Sequence, residues 1–145
     1  MRKILFKGKV VEGFCKDVPI GTWVYGNFIT DLYDSSTYIM TQMQLAKGID
    51  IGGYMEVYTY PVTPETVGQY IGRDDKSGNR IFEGDIVKGC WKSNKSMQIF
   101  IVRYENGCFV FDNNLYHGTY EDVYDLQVIG NSYDNFELLQ ENYAK

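Results

Sequence analysis

The sequence predicts a mainly β protein, with antiparallel sheets and a minor helical contribution. Aromatic residues make up 16% of the 145 residues, and aromatic side chains suit the pleated, half-buried surface of a sheet. The 15 glycines indicate a chain that turns often. Apolar and polar residues also alternate in short runs between Gly-, Asn- and Asp-containing turns. Short strands joined by such turns are typical of a sandwich or a barrel.

The first half of the chain contains strand patterns at 2–11, 22–30, 37–43 and 54–60. Gly26 lies inside the second of them and indicates a bulge or the close approach of another backbone. A helix over 38–46 competes with the third strand, but Tyr, Ile and Thr directly after a turn favour the strand. The glycine-containing stretch 47–53 is predicted to be mobile.

The strongest turn signal is at residues 74–79, after a predicted helical turn at 64–66. Asp side chains bond their own backbone in turns, and Gly adopts positive φ without steric cost. We therefore predict an exposed hairpin connection between strands at 67–72 and 80–87, with Gly78 at positive φ. Gly78→Val should then cost about 1–2 kcal/mol. Asp75→Ala should cost less, because only a local side-chain bond is lost.

The second half contains further strand patterns at 84–88, 97–104, 107–111 and 123–129. Asn106 and Gly107 separate two apolar runs, which is the best short-range signal for a hairpin. Asp134 and Glu137 have the spacing of a capping box and predict a short helix over 136–143. We predict a single domain, 1–145, with two lobes: an N-terminal sheet region, 1–64, and a small SH3-like barrel with the helix, 65–145.

The chain shows no targeting or membrane signal. The N-terminus lacks an apolar stretch long enough for a signal peptide, and no window approaches ~18 consecutive apolar residues. The three cysteines, Cys15, Cys90 and Cys108, are widely spaced and form no C-x-x-C pair. Reduced thiols in the cytoplasm are therefore the expected state, and no membrane partner is predicted.

Charge is distributed unevenly around a net value of −5. Segments 1–30 and 71–103 are basic, whereas 104–145 carries eight acidic residues against one lysine. A solvated surface on a net-acidic protein is the favoured interpretation, because phosphate binding needs a concentrated basic field. The alternative is a nucleic-acid-binding module on the 71–103 strands, which would use Arg73, Lys76, Arg80, Lys88, Lys92, Lys95 and Arg103.

The common catalytic motifs are missing. One histidine, His117, and dispersed cysteines do not form a zinc pattern, and the chain has neither a phosphate-binding loop nor a nucleophile elbow. We therefore predict no catalytic residue, metal ligand or cofactor. An unrecognised hydrolase remains a second alternative, because acids distant in sequence could converge: Glu83, Asp85, Asp112, Glu121, Asp122 and Asp125.

The central strings resemble the YopX family. Residues 65–72 read ETVGQYIG, 75–78 read DKSG and 81–87 read IFEGDIV, where the family pattern is approximately ETVGQYTG, DKNG and IYEGDIV. The likeness extends from WVYG at 23–26 to QVIGN at 127–131 and beyond, nearly the whole chain. The departures are Ile71 for Thr, Arg73 for Leu and Phe136 for Pro.

The resemblance implies a β-rich fold and a phage or prophage origin, with the bacterial host cytoplasm as the setting. Family members are small phage and prophage proteins without an established biochemical role, so no catalytic residue is transferred. The favoured hypothesis is an accessory protein that acts as a non-enzymatic binding or self-assembling β-domain. We expect a symmetric homo-oligomer, with segments 1–30 and 54–60 as candidate sheet edges.

Overall fold

The computed structural model describes residues 1–11, 18–41 and 58–140. The chain divides into two compact units, Lys3–Gln69 and Tyr70–Lys145, the second of which includes Met1–Arg2. The mainly β, antiparallel prediction is confirmed in the described ranges. Within those ranges, no helix combines the length and the apolar character that a membrane crossing requires.

The N-terminal unit is an antiparallel sheet with the strand order β4-β3-β2-β1. These strands are β1 (Phe6–Lys9), β2 (Trp23–Thr30), β3 (Thr37–Thr41) and β4 (Tyr58–Pro61). β1 pairs on its other side with Gly68 and Gln69, which begin β5 (Gly68–Asp74). A 3-10 turn at Pro64–Thr66 matches the predicted helical turn.

Two local predictions for this unit are confirmed. β3 is a strand, not a helix, and it pairs with both β2 and β4. Gly26 is a site of close backbone approach, since a Cβ there would overlap the Met40 carbonyl. The small core consists of Val10, Val24, Ile39 and Val62. The predictions for 47–53, for the end of the third strand and for the beginning of the fourth lie outside the described residues.

The prediction that segment 1–30 forms a sheet edge is wrong. β1 lies between β2 and the start of β5, and β2 lies between β1 and β3. Residues after β1 also contact the end of β4, where the Val11 N–H donates to the Pro61 carbonyl at 3.0 Å. Alternation in the sequence specifies which face of a strand is buried, but not which strands lie on either side.

The C-terminal unit contains a five-stranded antiparallel sheet with the order β10-β9-β8-β7-β11. Its elements, with the preceding short strand β6, are β6 (Arg80–Phe82), β7 (Asp85–Trp91), β8 (Ser96–Glu105), β9 (Cys108–Asp112), β10 (His117–Gly118), β11 (Val123–Asn131) and α1 (Glu137–Gln140). The sheet is open, since β10 and β11 lie at its two ends, so the expected SH3-like barrel is not closed among the described residues. Residues 141–143 of the predicted helix lie outside them.

One face of this sheet carries the larger core. Val87, Phe100, Val102 and Phe111 are fully buried there, and the rings of Phe100 and Phe111 meet edge to face at 6.4 Å. Ile81 of β6 packs against the same cluster. Burying side chains of this size contributes about 1.5–3 kcal/mol each, so this cluster holds β6 and the sheet together as one unit.

Candidate functional site

The central turn joins β5 to β6 as predicted. Gly78 has φ of 84°, and no atom would lie within 4 Å of a Cβ added to it. Its N–H donates to the Asp75 carbonyl at 3.0 Å, and the Asp75 N–H donates to the Asn79 carbonyl at 2.7 Å. The positive-φ prediction for Gly78 is therefore confirmed.

Asp75 differs from the sequence-based expectation, because its side chain is buried and its contacts are not all local. The carboxylate accepts hydrogen bonds from the Ser77 N–H at 2.9 Å and from the Asn79 backbone and side-chain nitrogens at 2.9 and 3.2 Å. It also accepts from the Val128 N–H in β11 at 3.0 Å. The expectation of a purely local bond is wrong, and Asp75 ties the turn to β11.

These donors determine the ionisation of Asp75. Burial raises the pKa of this carboxyl, but the N–H groups of Val128, Asn79 and Ser77 together outweigh burial and hold the pKa below its usual value. Hydrogen bonds to the charged form of a carboxyl favour that form. Asp75 is therefore an ionised structural group that fixes one wall of a cleft.

The facing part of β11 is a bulge. The register with β7 shifts between Tyr124 and Gln127, and Asp125 has φ of 55°, which is uncommon for a residue other than glycine. The Leu126 carbonyl accepts from the Lys76 N–H at 2.9 Å. The turn and the bulge are thus in direct contact through the backbone.

A cleft of about 410 Å³ lies beside this contact. We call it the tyrosine cleft, and its polar and aromatic lining is Arg73, Asp74, Asp75, Lys76, Lys92, Tyr120, Glu121, Tyr124 and Asp125. Both tyrosines are nearly half exposed. The Arg73 guanidinium lies 4.8 Å from the Tyr120 ring centroid, within the range of a cation–π interaction.

The loop that carries Tyr120 and Glu121 is held by a short network. The Asp122 carboxylate accepts from the Thr119 N–H at 2.8 Å, and the Asp122 N–H donates to the Thr119 carbonyl at 3.0 Å. The Lys92 N–H donates to the Asp122 carbonyl at 2.9 Å. Both walls of the tyrosine cleft are therefore positioned by backbone hydrogen bonds.

Two of the exposed carboxylates in the cleft have side-chain partners. Lys76 pairs with Asp125 at 3.4 Å, and the Tyr70 hydroxyl donates to Asp74 at 2.8 Å. A side-chain hydrogen bond with Cys90 raises the pKa of Tyr124, with smaller contributions from burial and nearby charge. Tyr124 is therefore a neutral phenol at physiological pH.

The structure brings together three of the seven predicted nucleic-acid residues. Arg73, Lys76 and Lys92 line the tyrosine cleft. The others are dispersed: Arg80 in β6, Lys88 in β7, Lys95 in the following turn and Arg103 in β8. Sequence reasoning missed the contribution of Tyr120 and Tyr124 to this site, because nothing local links a residue near 75 to one near 120.

A second pocket, of about 400 Å³, lies at α1 and β8. Arg103 lines it and lies 3.6 Å from the Asp112 carboxylate. His117 is half exposed, as expected for a surface histidine, with its Nδ1 3.2 Å from Asp112 Oδ1 and its Nε2 3.8 Å from Glu105 Oε2. At this exposure such pairs contribute little to stability.

The acids of the hydrolase alternative occupy several places. Asp112 lies beside His117, Glu121 and Asp125 line the tyrosine cleft, and Asp122 bonds within its own loop. Asp85 is buried and accepts from the Phe82 N–H at 2.8 Å. In 1–11, 18–41 and 58–140, no three His, Cys, Asp or Glu side chains form a group suited to a metal ion.

A search of the curated proteins found no match to the chain. The family model described as YopX protein matches residues 22–140, which run from the residue before β2 to the end of α1 and include every residue of the tyrosine cleft. The chain therefore belongs to the YopX family.

Proposed function

We propose that this chain is a non-enzymatic binding protein of a bacteriophage or prophage that acts in the host cytoplasm. The tyrosine cleft is its binding site, and its ligand is a protein. The observation that carries the proposal is the grouping of exposed Tyr120, Tyr124 and Arg73 in one preformed recess. Tyr and Arg are enriched among the residues that contribute most to protein–protein affinity.

The balance of charge in the cleft favours a protein over a polyanion. Three cations line the cleft together with four carboxylates, those of Asp74, Asp75, Glu121 and Asp125. Affinity for nucleic acid comes mainly from cations that neutralise phosphates, so acids in the same recess oppose it. A protein surface can offer charges of both signs to such a site.

The rigidity of both cleft walls supports the same conclusion. Asp75 fixes the turn to β11, and Asp122 fixes the loop that carries Tyr120. A recess that is ordered before binding loses less conformational entropy when a partner docks. A larger part of the free energy of its contacts with a partner therefore contributes to affinity.

Photo-cross-linking tests the proposal. A photoreactive phenylalanine analogue at position 120 should give a discrete cross-linked protein product in extracts of phage-infected or lysogenic cells. The matched control places the analogue at 104, because Tyr104 is similarly exposed but does not line the cleft. Lys92→Glu should reduce the product at 120. Equal yields from 120 and 104 would contradict a binding site at the cleft.

A second candidate function is nucleic-acid binding. Its support is the convergence of Arg73, Lys76 and Lys92 beside two tyrosines, because bases stack on aromatic rings in single-strand-binding proteins. Anisotropy titrations with single- and double-stranded DNA and RNA at low salt test it. We expect no binding. Binding that weakens steeply with salt and is lost in Lys92→Glu would favour this candidate instead.

A further inference from the structure

The pocket at α1 and β8 lies on the face of the C-terminal sheet opposite its large core. Ile101 and Arg103 alternate along β8 with the core residues Phe100 and Val102, so their side chains lie on that opposite face. The volume of about 400 Å³ falls within the range of pockets that bind small molecules. We call it the helix pocket, and its lining includes Ile101, Arg103, Asp112, Asn114, Phe136 and Leu139.

Part of the lining of the helix pocket is apolar. Ile101 comes from β8, Phe136 directly precedes α1, and Leu139 lies within α1. Phe136 is 57% exposed. An aromatic ring that borders a recess and is more than half exposed offers apolar area for a ligand to cover, and burial of apolar area favours binding.

Hydrogen bonds fix the segment that carries these apolar residues. The Asn135 N–H donates to the Asn131 carbonyl at 2.9 Å, and the Asn131 N–H donates to Asn135 Oδ1 at 3.2 Å. The Leu139 N–H donates to the Phe136 carbonyl at 3.1 Å. The segment is therefore tied to the end of β11, and a wall that is ordered before binding loses less conformational entropy when a ligand docks.

The rest of the lining is polar and carries one charge of each sign. Arg103 in β8 and Asp112 in β9 lie on neighbouring strands, with Arg103 Nε 3.6 Å from Asp112 Oδ2. The other carboxylate oxygen, Oδ1, lies 3.2 Å from His117 Nδ1, and His117 Nε2 lies 3.8 Å from Glu105 Oε2. Neither His117 nor Glu105 is part of the described lining. The helix pocket therefore presents two adjacent charges of opposite sign.

The contact between Arg103 and Asp112 leaves both groups able to bind a ligand. At 3.6 Å it is longer than a good hydrogen bond, and the Arg103 side chain is half exposed. Such an ion pair contributes little free energy on its own, so little is lost when it rearranges around a ligand. The two terminal nitrogens of a guanidinium form a fork that matches a carboxylate, and the Asn114 amide is a further donor at the pocket.

We infer that the helix pocket binds a free α-amino acid with a large apolar side chain. The nitrogen and the carboxyl carbon of an α-amino acid are about 2.5 Å apart, so its two charges are adjacent, as those of Arg103 and Asp112 are. The carboxylate lies at Arg103, the ammonium at Asp112 and the side chain against Phe136. A ligand with charge of one sign only meets a like charge in the lining, which disfavours it.

This site is separate from the one proposed for a protein partner. The helix pocket and the tyrosine cleft share no lining residue. The inference therefore does not depend on the function proposed for the tyrosine cleft, and cross-linking at position 120 does not test it.

Isothermal titration calorimetry with three probes of similar size tests the inference on the natural chain. L-phenylalanine carries both charges, 3-phenylpropanoate lacks the ammonium, and 2-phenylethylamine lacks the carboxylate. L-phenylalanine should bind with a Kd below ~1 mM. Each of the other two should bind at least about tenfold more weakly, because each lacks one charge-assisted contact. Equal affinity for the three probes, or no binding of L-phenylalanine at about 10 mM, overturns the inference.

Charge variants should exchange the order of the two singly charged probes. Arg103→Gln retains Asp112 and should bind 2-phenylethylamine more tightly than 3-phenylpropanoate. Asp112→Asn retains Arg103 and should show the reverse preference. Both variants should lose at least about tenfold in affinity for L-phenylalanine. If the ion pair has only a structural role, both variants lower the affinity for the two probes alike, and that result overturns the inference.

The apolar contact is tested by Phe136→Ser, which should remove most of the advantage of L-phenylalanine over L-alanine. Arg80→Gln and Leu115→Ser are the matched controls, since both residues are exposed and neither lines the helix pocket. Both controls should bind like the natural chain, and circular dichroism should show that the variants are folded. Amide NMR shifts on addition of L-phenylalanine should centre on Arg103 and Asp112. Shifts centred on Tyr120 and Tyr124 would place the ligand in the tyrosine cleft and overturn the inference.

Discussion

Replacing Asp75 with alanine should destabilise the C-terminal unit more than any other single substitution in the central turn. The carboxylate accepts four hydrogen bonds, including one from the half-buried Val128 N–H. Hydrogen bonds to charged groups contribute about 1.5–3 kcal/mol each. Water can replace the carboxylate at the exposed Ser77 and Asn79, so their contribution is reduced. The expected loss is about 2–4 kcal/mol in the free energy of unfolding.

Gly78→Val provides the comparison, because no atom would contact the added Cβ and only the backbone strain counts. Gly78→Val should lower the free energy of unfolding by about 1–2 kcal/mol. The sequence alone predicts a larger loss for Gly78→Val than for Asp75→Ala, whereas the structure predicts the reverse. Asp74→Ala is the neighbouring control, since Asp74 is exposed and accepts from the Tyr70 hydroxyl. It should cost less than about 1 kcal/mol.

Urea titration followed by tryptophan fluorescence measures these values. The chain has two tryptophans, and Trp23→Phe leaves Trp91, which packs 5.9 Å from Phe100 in the core of the C-terminal unit, as the reporter. The urea concentration at the midpoint of unfolding should fall, while the dependence of the unfolding free energy on urea concentration should stay unchanged. If Asp75→Ala loses less than Gly78→Val, the bond to Val128 contributes little and the proposed role of Asp75 is refuted.

Three further predictions concern pH and two buried glycines. The pKa of Asp75 is lowered in the folded protein, so the stability that its carboxylate contributes is complete above the unfolded pKa of about 3.9 and is lost as pH falls through the folded pKa. The difference in the free energy of unfolding between the natural chain and Asp75→Asn should therefore shrink below pH ~4 in urea titrations. A difference that stays constant with pH would contradict this. Gly26→Ala should destabilise the N-terminal unit by at least about 1–3 kcal/mol, because its Cβ would overlap the Met40 carbonyl; an unchanged thermal midpoint would refute it. Gly89→Ala should cost a similar amount, since its Cβ would lie 2.7 Å from a core side chain of β11, whereas the exposed neighbour Lys88→Ala should shift the urea midpoint little.

The turns were predictable because their geometry depends on local chemistry. Gly78 has the positive φ that its position after Asp-Lys-Ser indicates, and Asn106 and Gly107 have φ of 50° and 83°, as a tight hairpin turn requires. The partner of Asp75 was not predictable, because Val128 is 53 residues away. A short-range pattern identifies an Asp that bonds its own turn but cannot show that the same carboxylate holds a distant strand.

The tyrosine cleft was predictable only in part, for a related reason. The basic composition of 71–103 indicated Arg73, Lys76 and Lys92, but it equally indicated Lys88 and Arg103, which lie elsewhere. Charge content gives no information on which side chains a fold brings together. The cleft also depends on the bulge in β11, where Asp125 adopts positive φ without a glycine to signal it. The next residue, Leu126, is bonded to Lys76 of the turn, a contact that the local sequence does not indicate.

The central turn also limits how copies of this chain can associate. The free edge of β11 would be a template for strand addition, but the Leu126 carbonyl and the Val128 N–H are already bonded to Lys76 and Asp75. The opposite end of the sheet is β10, a strand of two residues with little edge to offer. Strand addition at β11 would have to displace the Asp75 carboxylate from a buried position. Neither end of this sheet therefore favours strand addition between copies, so association through the C-terminal unit is expected to use side-chain surfaces.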